Sequence, residues 1–185
     1  MIPKCIVPAR HGDARGWFVE SYSRRALAAL GIDCDFVQDN HSYSAKGGTL
    51  RGIHYQRAPH AQAKLVRCLV GAIWDVAVDL RAGSPTFGKW VATTLTAAGG
   101  EQLFVPVGFG HGFVTLTDDV EVAYKASNYY APECEGGVAW DDPDLAVAWP
   151  LDGLEPVLAG KDAVLPCLAE WESPFAYDGQ PLLEL

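Results

Sequence analysis

The chain is short of the features that announce most function classes. No apolar run approaches the roughly 20 residues that a membrane-spanning helix needs. Its start, Met1-Ile2-Pro3-Lys4-Cys5, lacks the charged and apolar regions of a secretory leader, and a cytoplasmic protein is the expectation. The five cysteines (Cys5, Cys34, Cys68, Cys134, Cys167) are odd in number, scattered, and form no CxxC pair. Such spacing disfavours both a disulfide framework and a zinc knot and fits reduced thiols. No GxGxxG dinucleotide fingerprint, internal repeat or low-complexity linker occurs. Positive charge is also scarce: 14 Lys and Arg face 23 acids, for a net −9, which argues against a nucleic-acid-binding surface.

What remains is a chain of 185 residues, 49% of them hydrophobic, long enough to bury a sizeable core and predicted to form one domain over 1–185. Its charge is uneven. Residues 1–67 hold ten of the Lys and Arg but only five acids, a pattern that fits a local anion pocket or an uneven solvated surface about equally well. The dominant periodicity is two. In Trp74 to Arg81 apolar residues at even positions alternate with mostly polar ones, which predicts a half-buried strand. Further strands are expected over Lys64 to Val70, Trp90 to Thr96, Gln102 to Val105, Gly112 to Thr117 and Val120 to Ala126, with turns at Gly- and Pro-rich breaks. One helix is expected over Arg24 to Leu30, capped by Ser21 or Ser23 and ended by Gly31, and a short one near Lys161. The expectation is an all-β sandwich or barrel with the ligand in its mouth.

The chemistry-bearing residues cluster in Leu50-Arg51-Gly52-Ile53-His54-Tyr55-Gln56 and in Gln62 to Val66, which read as neighbouring strands. Arginine suits phosphate, histidine suits proton transfer near neutral pH, and Lys64 suits a developing oxyanion. Taken alone, His54 reads equally as a hydrogen-bonded core residue, and Arg51 and Lys64 as rim charges. An odd separation puts Arg51 and His54 on opposite faces of a regular strand, so either a bulge at Gly52 re-aims one of them or Arg51 precedes the strand. Pro106 to His111 fits the PxGxxH half-motif of cupin barrels, but the partner HxH is missing, so a metal-free cupin barrel is expected. Tyr124 shares a face with Val120 and Val122 and should point inward, as core filler or as a general acid. One ring of Tyr129-Tyr130 reads equally as a stacking partner for a nucleobase or as a surface aromatic of no function, and Asp162 is, on sequence alone, only a candidate to orient an imidazole.

Together with Asp13 to Glu20, Phe36 to Asn40, Ser84 to Gly88 and Trp140 to Pro143, these segments resemble the dTDP-4-dehydrorhamnose 3,5-epimerase family nearly end to end. The resemblance implies a double-stranded β-helix (cupin-like jelly roll) with short peripheral helices, a homodimer, and no metal or organic cofactor. It implies His54 as the base with Asp162 as its partner carboxylate, Tyr124 as the acid and Lys64 beside the enolate oxygen. Arg15, Glu20, Gln38, Asn40, Arg51, His111, Glu135 and Lys161 resemble substrate-binding positions, and Tyr130 the ring that stacks on thymine. His11 stands where the family commonly has an aromatic. The implied substrate is a dTDP-4-keto-6-deoxyhexose, whose C4 ketone acidifies the protons on C3 and C5. Removing them calls for a base on one face, an acid on the other and a cation near the oxygen. The alternatives are a C3-only epimerase and a non-catalytic cupin that binds a nucleotide sugar. A metal-dependent cupin oxygenase is disfavoured by the absent HxH.

Overall fold

Period-two alternation builds strands, and strands make up most of the ordered structure. The computed structural model describes residues 1–153 and 155–185. In chain order the strands are β1 (Lys4–Ile6), β2 (Arg10–Asp13), β3 (Gly16–Val19), β4 (Gln38–Ser44) and β5 (Leu50–Gln56). Then come β6 (Lys64–Val70), β7 (Ala72–Asp79), β8 (Arg81–Ala82), β9 (Trp90–Thr96) and β10 (Gln102–Val105). The last are β11 (Phe109–Thr115), β12 (Val120–Ala126), β13 (Glu135–Gly137) and β14 (Phe175–Ala176). The α-helix α1 (Arg24–Ala29) lies between β3 and β4. Ser23 caps it by accepting from the Ala26 N–H at 3.4 Å, and Gly31 follows in the left-handed region at φ +76°, as the sequence predicts.

Two five-stranded sheets carry the fold, ordered β1-β10-β6-β12-β4 and β13-β5-β11-β7-β9. Every strand pair in them is antiparallel. From β4 to β7 and again from β10 to β13 the chain crosses to the other sheet at each step, which is the winding of the expected double-stranded β-helix. The same crossing corrects one expectation. β5 and β6 are consecutive in sequence but lie in opposite sheets, so His54 and Lys64 look at each other across the barrel and not along one sheet. Between the sheets sits one apolar core, with Val66, Cys68, Leu103, Val105, Val120 and Val122 from the first and Ile73, Ala77, Leu95, Phe109 and Phe113 from the second. Removing each large side chain of this kind from water is worth roughly 1.5–3 kcal/mol.

The strand over Trp74 to Arg81 is buried on both faces, not half-buried. Its even, apolar face (Val76, Val78, Leu80) packs outward against Leu145 and Phe175, with Trp149 and Trp171 alongside, in a layer made by the irregular C-terminal segment. Its odd face therefore turns into the barrel and carries Asp75 with it. Near the strand's end Asp79 pairs with Arg81 at 2.7 Å, both fully buried, and Arg81 reaches Asp178 at 2.6 Å, which ties the C-terminal segment down. A third cluster joins Leu27 of α1 with Ile32, Leu65 and Phe104 on the outer side of the first sheet. The hairpin β2-β3 pairs only with itself and projects, leaving Trp17 and Phe18 exposed.

Candidate active site

β5 supplies two of the site's side chains because its regular alternation breaks at Gly52. Against β11 the register runs His111↔His54 and then Phe113↔Arg51, so β5 carries one extra residue there. Gly52 lies at φ +137°, and a Cβ on it would sit 2.5 Å from the Gly112 Cα and 3.0 Å from the His111 carbonyl oxygen. Only glycine allows that backbone approach. The bulge turns Arg51 and His54 towards one cavity, resolving the parity conflict in favour of a bulge.

The cavity measures about 270 Å³ and opens at the mouth of the barrel. The second sheet contributes Arg51, His54, His111 and Glu135, and the first contributes Lys64 and Tyr124. The loops add Tyr130, Lys161 and Asp162. Nine of the thirteen predicted site residues thus meet in one place. His54 Nε2 and Asp162 Oδ1 are 2.7 Å apart, with Asp162 almost wholly buried in the short 3-10 turn Asp162–Val164. A carboxylate in that position fixes the imidazole's orientation and stabilises its protonated form. The Lys64 ammonium lies 5.9 Å from the centre of the Tyr124 ring. Desolvation lowers the Lys64 pKa to about 8, against the upward pull of Asp75 and Glu135. Tyr124 is raised from the ordinary phenol value, first by burial, so it keeps its proton at neutral pH. Its hydroxyl makes no hydrogen bond to any described residue.

His111 is buried, and its partner is the fully buried Asp75 at 2.6 Å. Burial holds the His111 pKa down despite that carboxylate. The neutral ring then donates from Nε2 to Asp75 and keeps an acceptor at Nδ1. Asp75 was missed in the sequence reading because the alternation assigned it to solvent. Arg51 donates through Nη2 to the Tyr43 carbonyl at 3.1 Å and to Ser44 Oγ at 3.3 Å, while its buried Nε has no partner among the described residues. Lys161 donates to Glu135 at 2.6 Å, and the Tyr130 hydroxyl donates to the other Glu135 oxygen at 3.1 Å. Burial pushes the Glu135 carboxyl up, but these two partners hold it below its ordinary value.

Four predicted residues lie elsewhere. Arg15 sits on the projecting hairpin, paired with Asp13, with 89% of its side chain exposed. Glu20 borders a separate groove beneath that hairpin, together with His11 and Phe18. Asn40 borders a shallow cavity with Asp39 and Lys125. The Gln38 amide is used within the protein, accepting from the Tyr130 N–H at 3.0 Å and donating to Asn40 Oδ1 at 2.9 Å. Among the described residues no three His, Cys, Asp or Glu side chains are grouped so as to hold a metal ion, and no helix is long and apolar enough to cross a membrane.

Comparison with known proteins adds the following. A family model described as dTDP-4-dehydrorhamnose 3,5-epimerase matches residues 3–170. The dTDP-4-dehydrorhamnose 3,5-epimerase of Salmonella typhimurium is 50% identical over 170 residues, covering 90% of this chain and 92% of that protein. A Bacillus anthracis dTDP-4-dehydrorhamnose 3,5-epimerase solved with TDP and PPi bound superposes with a TM-score of 0.87 at 48% identity, over 90% of this chain and 94% of that one. A Legionella pneumophila dTDP-6-deoxy-D-glucose-3,5-epimerase in complex with dTDP-4-keto-L-rhamnose gives 0.89 at 44% identity, over 95% of this chain and 94% of that one.

Proposed function

The chain belongs to the dTDP-4-dehydrorhamnose 3,5-epimerase family, and on that premise we propose how its residues 1–185, as one catalytic domain, carry out the reaction. The substrate is dTDP-4-dehydro-6-deoxy-D-glucose and the product dTDP-4-dehydro-L-rhamnose, reached by proton transfer at C3 and C5 through an enolate. One observation carries this assignment: the His54–Asp162 pair on one wall of the cavity faces Lys64 and Tyr124 on the other. His54 removes the proton, and Asp162 stabilises the imidazolium that results. The Lys64 ammonium stabilises the negative charge that develops on the C4 oxygen. Tyr124, still protonated at neutral pH, returns a proton from the opposite face. His111, with its acceptor nitrogen fixed by Asp75, takes a sugar hydroxyl. The Arg51 guanidinium, which lines the cavity, is the charge-assisted donor for the diphosphate. Tyr130 stacks on the thymine, with Glu135 and Lys161 around it. No metal or organic cofactor takes part.

Arg15 and Glu20 are held away from this cavity, so they act in the cavity of a second copy within a homodimer. The apolar surface of Trp17 and Phe18 on the same hairpin supports that arrangement, because association would cover it. Asn40, and the segment that Gln38 holds, stand at the rim where the partner's hairpin would arrive. The five cysteines are all free, in keeping with a reaction in the cytoplasm.

Proton NMR of dTDP-4-keto-6-deoxyglucose incubated with the protein in deuterium oxide tests the reaction. Deuterium at both C3 and C5, with formation of the L-lyxo product, is expected. Exchange at C3 alone would make the protein a monoepimerase. With folded protein, no exchange at either carbon would leave only a different substrate or a nucleotide-sugar-binding role.

A further inference from the structure

Tyr130 is more than half exposed, and its neighbour Tyr129 more so, on a segment that leaves β12 and belongs to neither sheet. An exposed ring on an irregular segment samples many orientations unless its backbone is fixed, and every orientation lost on binding weakens affinity. Two glutamines fix it here. Gln56, the last residue of β5 and 5% exposed, donates from Nε2 to the Tyr129 carbonyl at 3.1 Å and to the His60 carbonyl at 2.7 Å. Its Oε1 accepts from the Ala131 N–H at 2.9 Å. Gln38, the first residue of β4, accepts from the intervening Tyr130 N–H. Three consecutive residues are thus pinned by two side-chain amides, one from each sheet, across the mouth of the barrel. Gln56 also stands directly opposite Glu135 in the β5·β13 pair, and Glu135 receives the Tyr130 hydroxyl. Backbone and phenol tip are therefore both referred to the same point of β5.

The hydrogen-bonding capacity of Gln56 explains why the residue is glutamine. Both N–H donors are engaged with carbonyls, and the oxygen with an N–H, so nothing is left to donate to a ligand even though the side chain lines the cavity. Glutamate would turn a carboxylate towards two carbonyls. Leucine would leave the buried Ala131 N–H and two part-buried carbonyls without this partner, and asparagine is one carbon too short. We propose that Gln56 is a positioning residue for the nucleoside end of the site: with Gln38 it pre-sets the Tyr129–Ala131 backbone so that the Tyr130 ring is already turned to stack on a base. The proposal rests on the nucleotide-sugar reading above.

The test is calorimetric binding of dTDP, together with steady-state kinetics. The proteins are the full-length wild type, Gln56→Leu, Tyr130→Ala, the double variant and Gln56→Glu. Gln56→Leu is expected to raise the dTDP Kd and the KM roughly tenfold while kcat falls by no more than about threefold. The double variant should bind no more weakly than Tyr130→Ala alone, because a ring already removed cannot be misplaced. Gln56→Glu should be as weak as Gln56→Leu at pH 8. It should recover towards wild type, compared at equal pH, as the buried carboxyl takes up a proton and regains a donor. A merely structural role would lower kcat through a smaller active fraction while leaving KM unchanged, and would show no such recovery. Should Gln56→Leu fail to fold, Gln38→Ala, which removes the Tyr130 N–H acceptor together with the donor to Asn40 Oδ1, carries the same comparison with Tyr130→Ala. Undiminished binding in the glutamine variants, or losses that multiply with Tyr130→Ala, overturns the proposal alone. Wild-type protein that does not bind dTDP overturns it together with the function it rests on.

Discussion

Lys64 gives the site a sharp and unusual pH signature. Its pKa of about 8, against an ordinary 10.5, arises mainly from desolvation in the cavity and is only partly offset by Asp75 and Glu135. If the ammonium stabilises the enolate, the active fraction of free enzyme falls to about one half at pH 8 and about one tenth at pH 9. Above pH 8, kcat/KM should therefore drop close to tenfold per pH unit. Tyr124 cannot produce this limb, because its pKa is raised above the ordinary phenol value. Stability should move the other way. The native state releases the Lys64 proton near pH 8 while the unfolded chain holds it to about 10.5, so unfolding becomes harder across that window. The gap corresponds to about 3 kcal/mol. Comparing denaturant unfolding of wild type and Lys64→Met at each pH isolates this contribution from other titrating groups. Lys64→Met should itself lose roughly 10²–10³ in kcat, and Lys64→Arg should abolish the alkaline limb, whatever rate it retains. A wild-type kcat/KM that stays level to pH 10, or activity and stability that fall together, would refute the role given to the ammonium.

Three further outcomes follow from the geometry. Gly52→Ala should destabilise the protein by roughly 3 kcal/mol or more and abolish turnover, because its Cβ meets backbone on two sides; a wild-type denaturation midpoint would sink the bulge argument. Asp162→Asn should cut kcat by roughly 10²–10⁴ with dTDP binding retained, as measured by steady-state kinetics and calorimetry, because the imidazolium loses its buried counter-charge. Asp75→Asn removes the carboxylate that selects the His111 tautomer, and roughly a tenfold or greater loss in kcat/KM is expected. A circular dichroism spectrum matching wild type would attribute that loss to the site and not to the fold.

Much of the site was legible because its residues announce themselves by type and by motif. Lys64 and Tyr124 sit on strands read from their period-two pattern, whereas that pattern separated Arg51 from His54 and left a bulge at Gly52 as one of two ways to bring them together, which the structure decided. Asp75 was illegible for the same reason. Its strand shows apolar residues at even positions, and alternation by itself says only that one face is apolar, not which way that face looks. Here the apolar face is covered by the C-terminal segment, and the acidic face looks into the barrel. Gln56 offered no signal of its own, and Gln38 was marked only by the family resemblance, since a glutamine's function lies in which backbone groups it meets.

The sequence by itself determined the strands between Lys64 and Ala126, the capped helix and the chemical character of the site, because these depend on local periodicity and on residue type, while the cupin-like class came through the PxGxxH half-motif and the family resemblance. The tertiary structure decided which strands share a sheet, and so put Lys64 opposite His54 instead of beside it. It also joined Asp162 to His54 across more than a hundred residues, left Arg15 and Glu20 outside the cavity of their own chain, and gave both glutamines to the Tyr130 segment. Each of those outcomes is a long-range contact, formed only once two distant segments are packed together, and no local pattern encodes the partner.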